Sequence, residues 1–307
     1  MSWRMRVVHT TGYGYEGPVT SSFNEARLTP RSDGRQTVVL SRVDTVPATR
    51  AYRYTDYWGS AVTAFDLHAP HTSLDVTGLS VVETDVSGPP DAIVDWADLR
   101  SEPIRDRFDE LVVPTVFVPS DKNLAKVARD LARTLDPVSA VFAAARWVHE
   151  EMNYVPGSTG VHTSAVEAYA DRSGVCQDYA HLTLLLLRAM GIPARYVSGY
   201  LHPQAHAEIG VTAAGESHAW IEAWTGAWWG YDPTNLALVG EQHVSVGGGT
   251  GLCGRAAAQR YLHRRRRHGT RGCCGGHPAC VRCRTQGEVG STRIGPAGGP
   301  RTRQVVA

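Results

Sequence analysis

Along the first 87 residues, apolar and polar positions alternate in short bursts. Val, Thr, Tyr and Phe recur over 6–10, 36–43, 51–57, 61–67 and 79–84, the period-two signature of half-buried strands. Turn chemistry separates the bursts at 13–18, 32–34 and 58–60. Strands with no helix between them predict an antiparallel sandwich or strongly twisted sheet. The run Ser87-Gly88-Pro89-Pro90-Asp91 closes this unit, giving a β domain over 1–90 and a linker over 91–120.

From about residue 121 the period lengthens. Apolar residues return every three or four positions over 123–135 and 138–152, and Asp136-Pro137 supplies an N-cap and a first helical residue. After a Gly/Ser/Thr loop at 157–164, the chain enters the apolar stretch 182–190. This reads as a buried helix closed by Gly191 and Pro193. Strands are expected at 195–201, 218–224 and 228–231. The fold class is therefore α+β: an N-terminal antiparallel β domain, then a second domain of helices and antiparallel strands over 121–246.

A length of 307 residues suits two domains, and 42% hydrophobic with 20% charged residues excludes a disordered or collagen-like chain. No apolar run approaches the roughly 20 residues that span a bilayer. The start Met1-Ser2-Trp3-Arg4-Met5-Arg6 has no apolar stretch behind it, so the expectation is a cytoplasmic protein with no membrane partner. The net charge of +1 conceals an asymmetry. Of 31 basic and 30 acidic residues, 12 arginines and one acid lie after residue 246, leaving 19 and 29 and a net of −10 for the body. An acidic body argues against nucleic acid as a partner. The cysteines divide the same way: Cys253, Cys273, Cys274, Cys280 and Cys283 lie in the tail and only Cys176 in the body, which therefore has no disulfide framework.

Cys176 sits where an apolar helix begins after a Ser-Gly turn. A helix N-terminus favours thiolate over thiol through its unpaired N–H groups and partial positive charge. A lone cysteine is also often just a buried, inert residue. The polar neighbours Gln177, Asp178 and His181 weigh toward chemistry, and Gly174 permits close backbone approach. His218 opens a strand in which His218, Trp220, Glu222 and Trp224 share one face; alone it would read as a polar edge residue. Asp232 precedes Pro233, where an Asp usually forms a turn. Jointly, and in this order, they supply a thiol, a base and a carboxylate to orient the base.

Four ordered motifs now coincide: Gly174-Val175-Cys176-Gln177-Asp178-Tyr179-Ala180-His181, Gly191-Ile192-Pro193-Ala194-Arg195-Tyr196-Val197-Ser198-Gly199-Tyr200, Ser217-His218-Ala219-Trp220 and Tyr231-Asp232-Pro233-Thr234-Asn235. Together they resemble the core of the transglutaminase-like superfamily. Asn24-Glu25-Ala26-Arg27-Leu28-Thr29-Pro30 and Asp56-Tyr57-Trp58-Gly59 are similar to the N-terminal β domain of its bacterial branch. The resemblance covers residues 1 to about 246. It implies a papain-like core with Cys176 as nucleophile, His218 as general base and then acid, and Asp232 orienting the imidazole. It also implies acyl transfer through a thioester on a peptide or protein amide substrate, with no cofactor. The Cys176 backbone N–H is a natural oxyanion donor, and the side-chain candidates are Gln177, Trp220 and Tyr154. No metal is expected, because His162, His181, His202, His206 and His218 lack the spacing of a zinc site. The superfamily spans cross-linking transglutaminases, proteases, amidases and catalytically idle peptide-binding scaffolds, so the acceptor and even turnover stay open. Trp224, Trp228 and Trp229 read first as core and second as a substrate groove.

After residue 246 the composition turns to Gly, Arg and Cys without apolar period, which predicts an irregular or disordered tail. The run 273–283 only superficially resembles a zinc knuckle, since no apolar residues surround it. A frameshift accounts for the tail better. Read one base out of register, the codons for 250–264 permit Arg-Asp-Tyr-Ala-Asp-Val-Pro-Pro-Leu-Lys-Gly-Ile-Tyr-Thr. Those for 276–282 permit Val-Thr-Arg-Leu-Ala and a stop. Both strings resemble the bacterial branch's own C-terminal segments.

Overall fold

Six strands form the N-terminal unit: β1 (Trp3–Val19), β2 (Ser21–Thr29), β3 (Gln36–Val46), β4 (Ala51–Thr55), β5 (Ala61–Leu67) and β6 (His71–Thr84). In this computed structural model, residues 2–91, 94–204, 209–215 and 217–252 are described in full, and 258–263 and 282–292 as backbone. One sheet carries β1, β6 and β3 in antiparallel order and the other β2, β5 and β4. Tyr13, Ala26, Leu28, Phe65, Leu67, Leu74 and Val76 fill the space between them. The strand β2 was not expected from the apolar pattern, because half of its inward face is polar. Ser22, Asn24, Ala26 and Leu28 are all buried, and Asn24 donates to Ser22 Oγ at 3.1 Å and to the Phe65 carbonyl at 3.3 Å. Those bonds offset the desolvation of the amide.

The expected linker folds onto the second unit. It contains α1 (Trp96–Leu99) and α2 (Glu102–Phe108), followed by a short 3-10 turn. Asp95 and Asp98 cap α1 reciprocally. Leu99, Phe108, Leu111, Phe117 and Val118 join the main hydrophobic core. These anchors are too widely spaced for a periodic signal.

The second unit continues with α3 (Lys122–Ala132), α4 (Pro137–Glu151), β7 (Asn153–Tyr154), α5 (Ala165–Ala170), β8 (Ser173–Gly174) and α6 (Cys176–Met190). Asp136 caps α4 by accepting from the Ser139 N–H at 3.0 Å, with Pro137 at the first helical position, as the sequence predicts. The helix α6 is buried on nearly every side and runs through the main core. Leu182, Leu184, Leu186 and Leu187 are fully buried, each contributing about 2 kcal/mol of burial. Gly191, at φ +86°, ends it in the left-handed conformation. Next come β9 (Ala194–Leu201), β10 (Thr212–Ala213), β11 (Ser217–Trp224), β12 (Trp228–Asp232), β13 (Ala237–Leu238) and β14 (His243–Gly249). An antiparallel sheet in the order β13-β12-β11-β9-β14 packs against α6.

Two features depart from the sequence expectation at the C-terminal side. The strand β14 runs past Val246 to Gly249 and pairs with β9 on both sides of a register shift at Val246. Three glycines carry no apolar signal, but a ladder needs only backbone groups. Further on, β15 (Ala258–His263) pairs with β2, and β16 (Arg282–Thr292) pairs with β1 and with β10. An irregular tail was expected there. The edges of β1 and β2 offer unpaired N–H and C=O groups to any extended chain, whatever its side chains. The rest of the tail, including Cys253, Cys273, Cys274 and Cys280, lies outside the described residues. Among the described residues, no helix is long and apolar enough to cross a membrane.

The two units share an interface. Trp3, Met5, Val7 and Val82 pack with Tyr200, Val244 and Val246. Beside them the Gln36 amide donates to the Ser245 carbonyl at 2.7 Å and accepts from its N–H at 2.8 Å.

Candidate active site

Cys176 is the first residue of α6, and Asp178 fixes how the chain enters that helix. The Asp178 Oδ2 accepts from the Val175 N–H at 2.8 Å and from Thr159 Oγ1 at 2.6 Å, tying the 157–164 loop to the helix start. A Cβ at Gly174 would sit 2.7 Å from Asp178 Cβ, so the close approach anticipated at this glycine is what lets the carboxylate tuck in. Cys176 is a free, partly exposed thiol at a helix end whose first N–H groups have no intrahelical partners.

His218 and Asp232 arrive from the sheet. The ladder that pairs Ile221 with Tyr231 brings the end of β12 beside the start of β11. His218 Nε2 lies 2.7 Å from Asp232 Oδ2. Cys176 is the second group that favours the charged form of the ring. Asp232 has no exposed surface. Its Oδ1 accepts from the N–H groups of Thr234 at 2.9 Å and Asn235 at 3.2 Å, so it forms the turn its position before Pro233 suggests. Its Oδ2 meanwhile faces the imidazole and accepts from Asn235 Nδ2 at 2.7 Å. One carboxylate thus builds the turn and holds the ring.

The electrostatics follow from this packing. Burial alone would lower the His218 pKa, but the hydrogen bonds to Asp232 and Cys176 outweigh it and raise the imidazole to about 10. Burial would likewise raise Asp232, yet the bonds to His218 and His243 hold it well below the usual carboxylate range. The chemistry such an arrangement supports is a thiolate beside an imidazolium, with the positive charge held by a buried carboxylate.

Of the oxyanion candidates, Gln177 is partly exposed with its amide 3.4 Å from the Gly160 carbonyl. Tyr154 is 48% exposed on β7, which pairs with Ser173 and Gly174 just before the cysteine. Trp220 is fully enclosed with Val197 and Val239. His181 does not join the thiol: it stacks on Phe117 and accepts the Leu252 N–H at 3.2 Å. The tryptophans pack in the core, Trp224 and Trp228 on Phe108 and Trp229 on Phe142. His243, which the sequence reading passed over, lies 3.5 Å from Asp232 Oδ2. Its signal was the alternation His243, Val244, Ser245, Val246, a strand with one polar face.

Comparison with known proteins agrees with this organisation. The family model of the transglutaminase-like superfamily matches residues 125–233, a span holding Cys176, His218 and Asp232. The model of the bacterial transglutaminase-like N-terminal region matches residues 5–83. An uncharacterized protein of Mycobacterium leprae is 59% identical over 247 residues, covering 80% of this chain and 88% of its own length. A protein-glutamine gamma-glutamyltransferase of Pseudomonas aeruginosa is 32% identical over 138 residues, but these are 42% of this chain and 20% of that protein. Among solved structures, a candidate cysteine protease from Cytophaga hutchinsonii superposes with a TM-score of 0.71 at 20% identity, covering 99% of this chain and 95% of its own. That likeness is one of fold. By both family matches, and by the order in which its β domain and helix-and-sheet core follow one another, the chain belongs to the transglutaminase-like superfamily and carries the bacterial N-terminal region of that family.

Proposed function

We propose that the protein is an enzyme that transfers acyl groups from amide or peptide bonds through a thioester on Cys176. The observation that carries this reading is the buried Asp232 carboxylate 2.7 Å from His218 Nε2, with Cys176 as a second group that favours the charged ring. In the first half-reaction the Cys176 thiolate attacks the carbonyl carbon, and the imidazolium gives its proton to the departing amine or ammonia. The Cys176 backbone N–H stabilises the oxyanion at the helix start, with Gln177 and Tyr154 as the side-chain donors that have access to solvent. In the second half-reaction the neutral imidazole takes a proton from water or an amine, which attacks the thioester and releases the thiolate. The Pseudomonas and Cytophaga relatives bear the names of a glutamine γ-glutamyl transfer and of a protease; the two reactions share the acyl transfer and differ in the acceptor. The substrate is accordingly a peptide or protein amide.

Mass spectrometry of a peptide library incubated with the protein, with and without a primary amine, distinguishes the outcomes. Loss of ammonia, backbone cleavage and amine incorporation give three different mass changes. Cys176→Ala is expected to abolish whichever occurs. Products persisting in that variant, or no product from any peptide with a wild-type protein of normal fold, would overturn the reading in favour of a binding scaffold.

A further inference from the structure

His243 is buried beside the Asp232 carboxylate, and its tautomer can be read from its partners. The Gly240 N–H donates to His243 Nδ1 at 3.2 Å. A neutral imidazole that accepts at Nδ1 carries its proton on Nε2. That nitrogen faces Asp232 Oδ2 at 3.5 Å, so it is the donor. Burial, which lowers the affinity of His243 for a second proton, favours this neutral form. The same Oδ2 takes the His218 and Asn235 bonds, and the Trp220 ring packs edge-on against His243 at 5.2 Å.

The backbone that carries His243 is held from the other domain. Arg35, in the turn before β3, donates through Nη1 to the carbonyls of His243 at 2.8 Å and Gly240 at 3.3 Å. Its Nη2 donates to Ser245 Oγ at 3.0 Å. The Arg31 N–H donates to the Ser245 carbonyl at 3.1 Å, and Gln36 brackets the Ser245 backbone from both sides. Arg35 is partly buried among these acceptors, so its bonds compete less with water than surface ones.

We infer that His243 is a positioning residue for Asp232, and that the N-terminal β domain completes the active site by gripping it through Arg35. The β domain would then be part of the machinery rather than a separate module. Loss of the His243 donor frees Asp232 Oδ2 to turn away from His218, loosening the ring that holds the thiolate. This inference rests on the thiol–imidazole reading proposed above.

The test is the pH profile of Cys176 alkylation by iodoacetamide in the full-length protein and in His243→Leu, His243→Gln and Arg35→Met. Gln retains a side-chain N–H donor and Leu retains only bulk. In His243→Leu the alkylation rate near pH 6 is expected to fall about tenfold, the value of one hydrogen bond to a charged group. Arg35→Met should shift in the same direction, and His243→Gln should stay within about threefold of wild type. Thermal unfolding of each variant separates positioning from folding, since a merely structural role would lower stability in Leu and Gln alike without moving the profile of folded protein. A wild-type profile in His243→Leu that remains folded overturns the inference while leaving the nucleophile intact. A wild-type protein that itself alkylates like a free thiol overturns the underlying reading instead. Should His243→Leu fail to fold, Arg35→Met and His243→Gln decide: equal profiles in wild type and Arg35→Met contradict the grip from the β domain.

Discussion

His218 holds a proton to high pH because two partners, Asp232 and Cys176, favour its charged form against the cost of burial. A histidine whose folded pKa is raised to about 10 from an unfolded 6.5 contributes stability that is complete below pH 6.5 and is lost as the pH rises through the folded value. The Asp232 side of the pair is the same interaction and adds no second contribution at neutral pH. Cys176→Ala removes one of the two partners, so the His218 ring should titrate at lower pH in that variant when followed by NMR. An unchanged titration would mean that the thiol is no partner of the ring. Asp232→Asn should leave the fold in place and weaken turnover by disturbing the tautomer and orientation of the imidazole, a loss read as a fall in kcat/KM. Cys176, His218 and Asp232 stood out in the sequence only jointly, by an order that resembles the transglutaminase-like core, each being ordinary alone. The roles of Asp178 and His243 did not stand out, because their partners Thr159, Gly240 and Asp232 are set by loops and strand ends that no period encodes.

At the scale of elements, α6 does two things at once: it presents Cys176 at its first turn and fills the core with its length. Leu184→Ala, at a fully buried position, is expected to cost about 2–5 kcal/mol in urea unfolding, through lost burial and the cavity left behind. A cost under about 1 kcal/mol would mean the helix is less tightly enclosed than described. The helix α2 is a second lever, since Phe108 meets the Trp224 and Trp228 rings at 4.9 and 5.6 Å. The apolar pattern was sufficient for α4 and α6, where long periodic runs coincide with clear caps. It missed β2, whose inward face is half polar, and the helices of the 91–120 segment, whose anchors are isolated. A periodic signal reports burial only where burial is continuous.

Across the whole molecule, the body and the tail obey different rules. Residues 250–252 are still seated on the core, with Arg188 Nη2 donating to the Thr250 carbonyl at 2.8 Å and His181 accepting from Leu252. Both hydrogen bonds use backbone groups of the tail, and the Leu252 side chain packs against the main core. Arg188 itself is buried and hydrogen-bonded to three carbonyl oxygens, with no carboxylate among its described partners. We propose, from its composition and its shifted codons, that the tail is a frameshifted translation. Sequencing the gene across the codons for 246–250 is expected to show one or two bases gained or lost. Restoring them should open a frame that ends near codon 281. A confirmed frame with a compact, zinc-bound tail would contradict that reading.

The proposed acyl transfer requires a Cys176 thiolate beside an imidazolium, and the rate of Cys176 alkylation by iodoacetamide as a function of pH tests that pairing directly. The prediction is a thiol that reacts faster than free cysteine near pH 6. The acceleration should be lost in His218→Ala. A Cys176 that follows the free-thiol profile, with or without His218, would contradict the account.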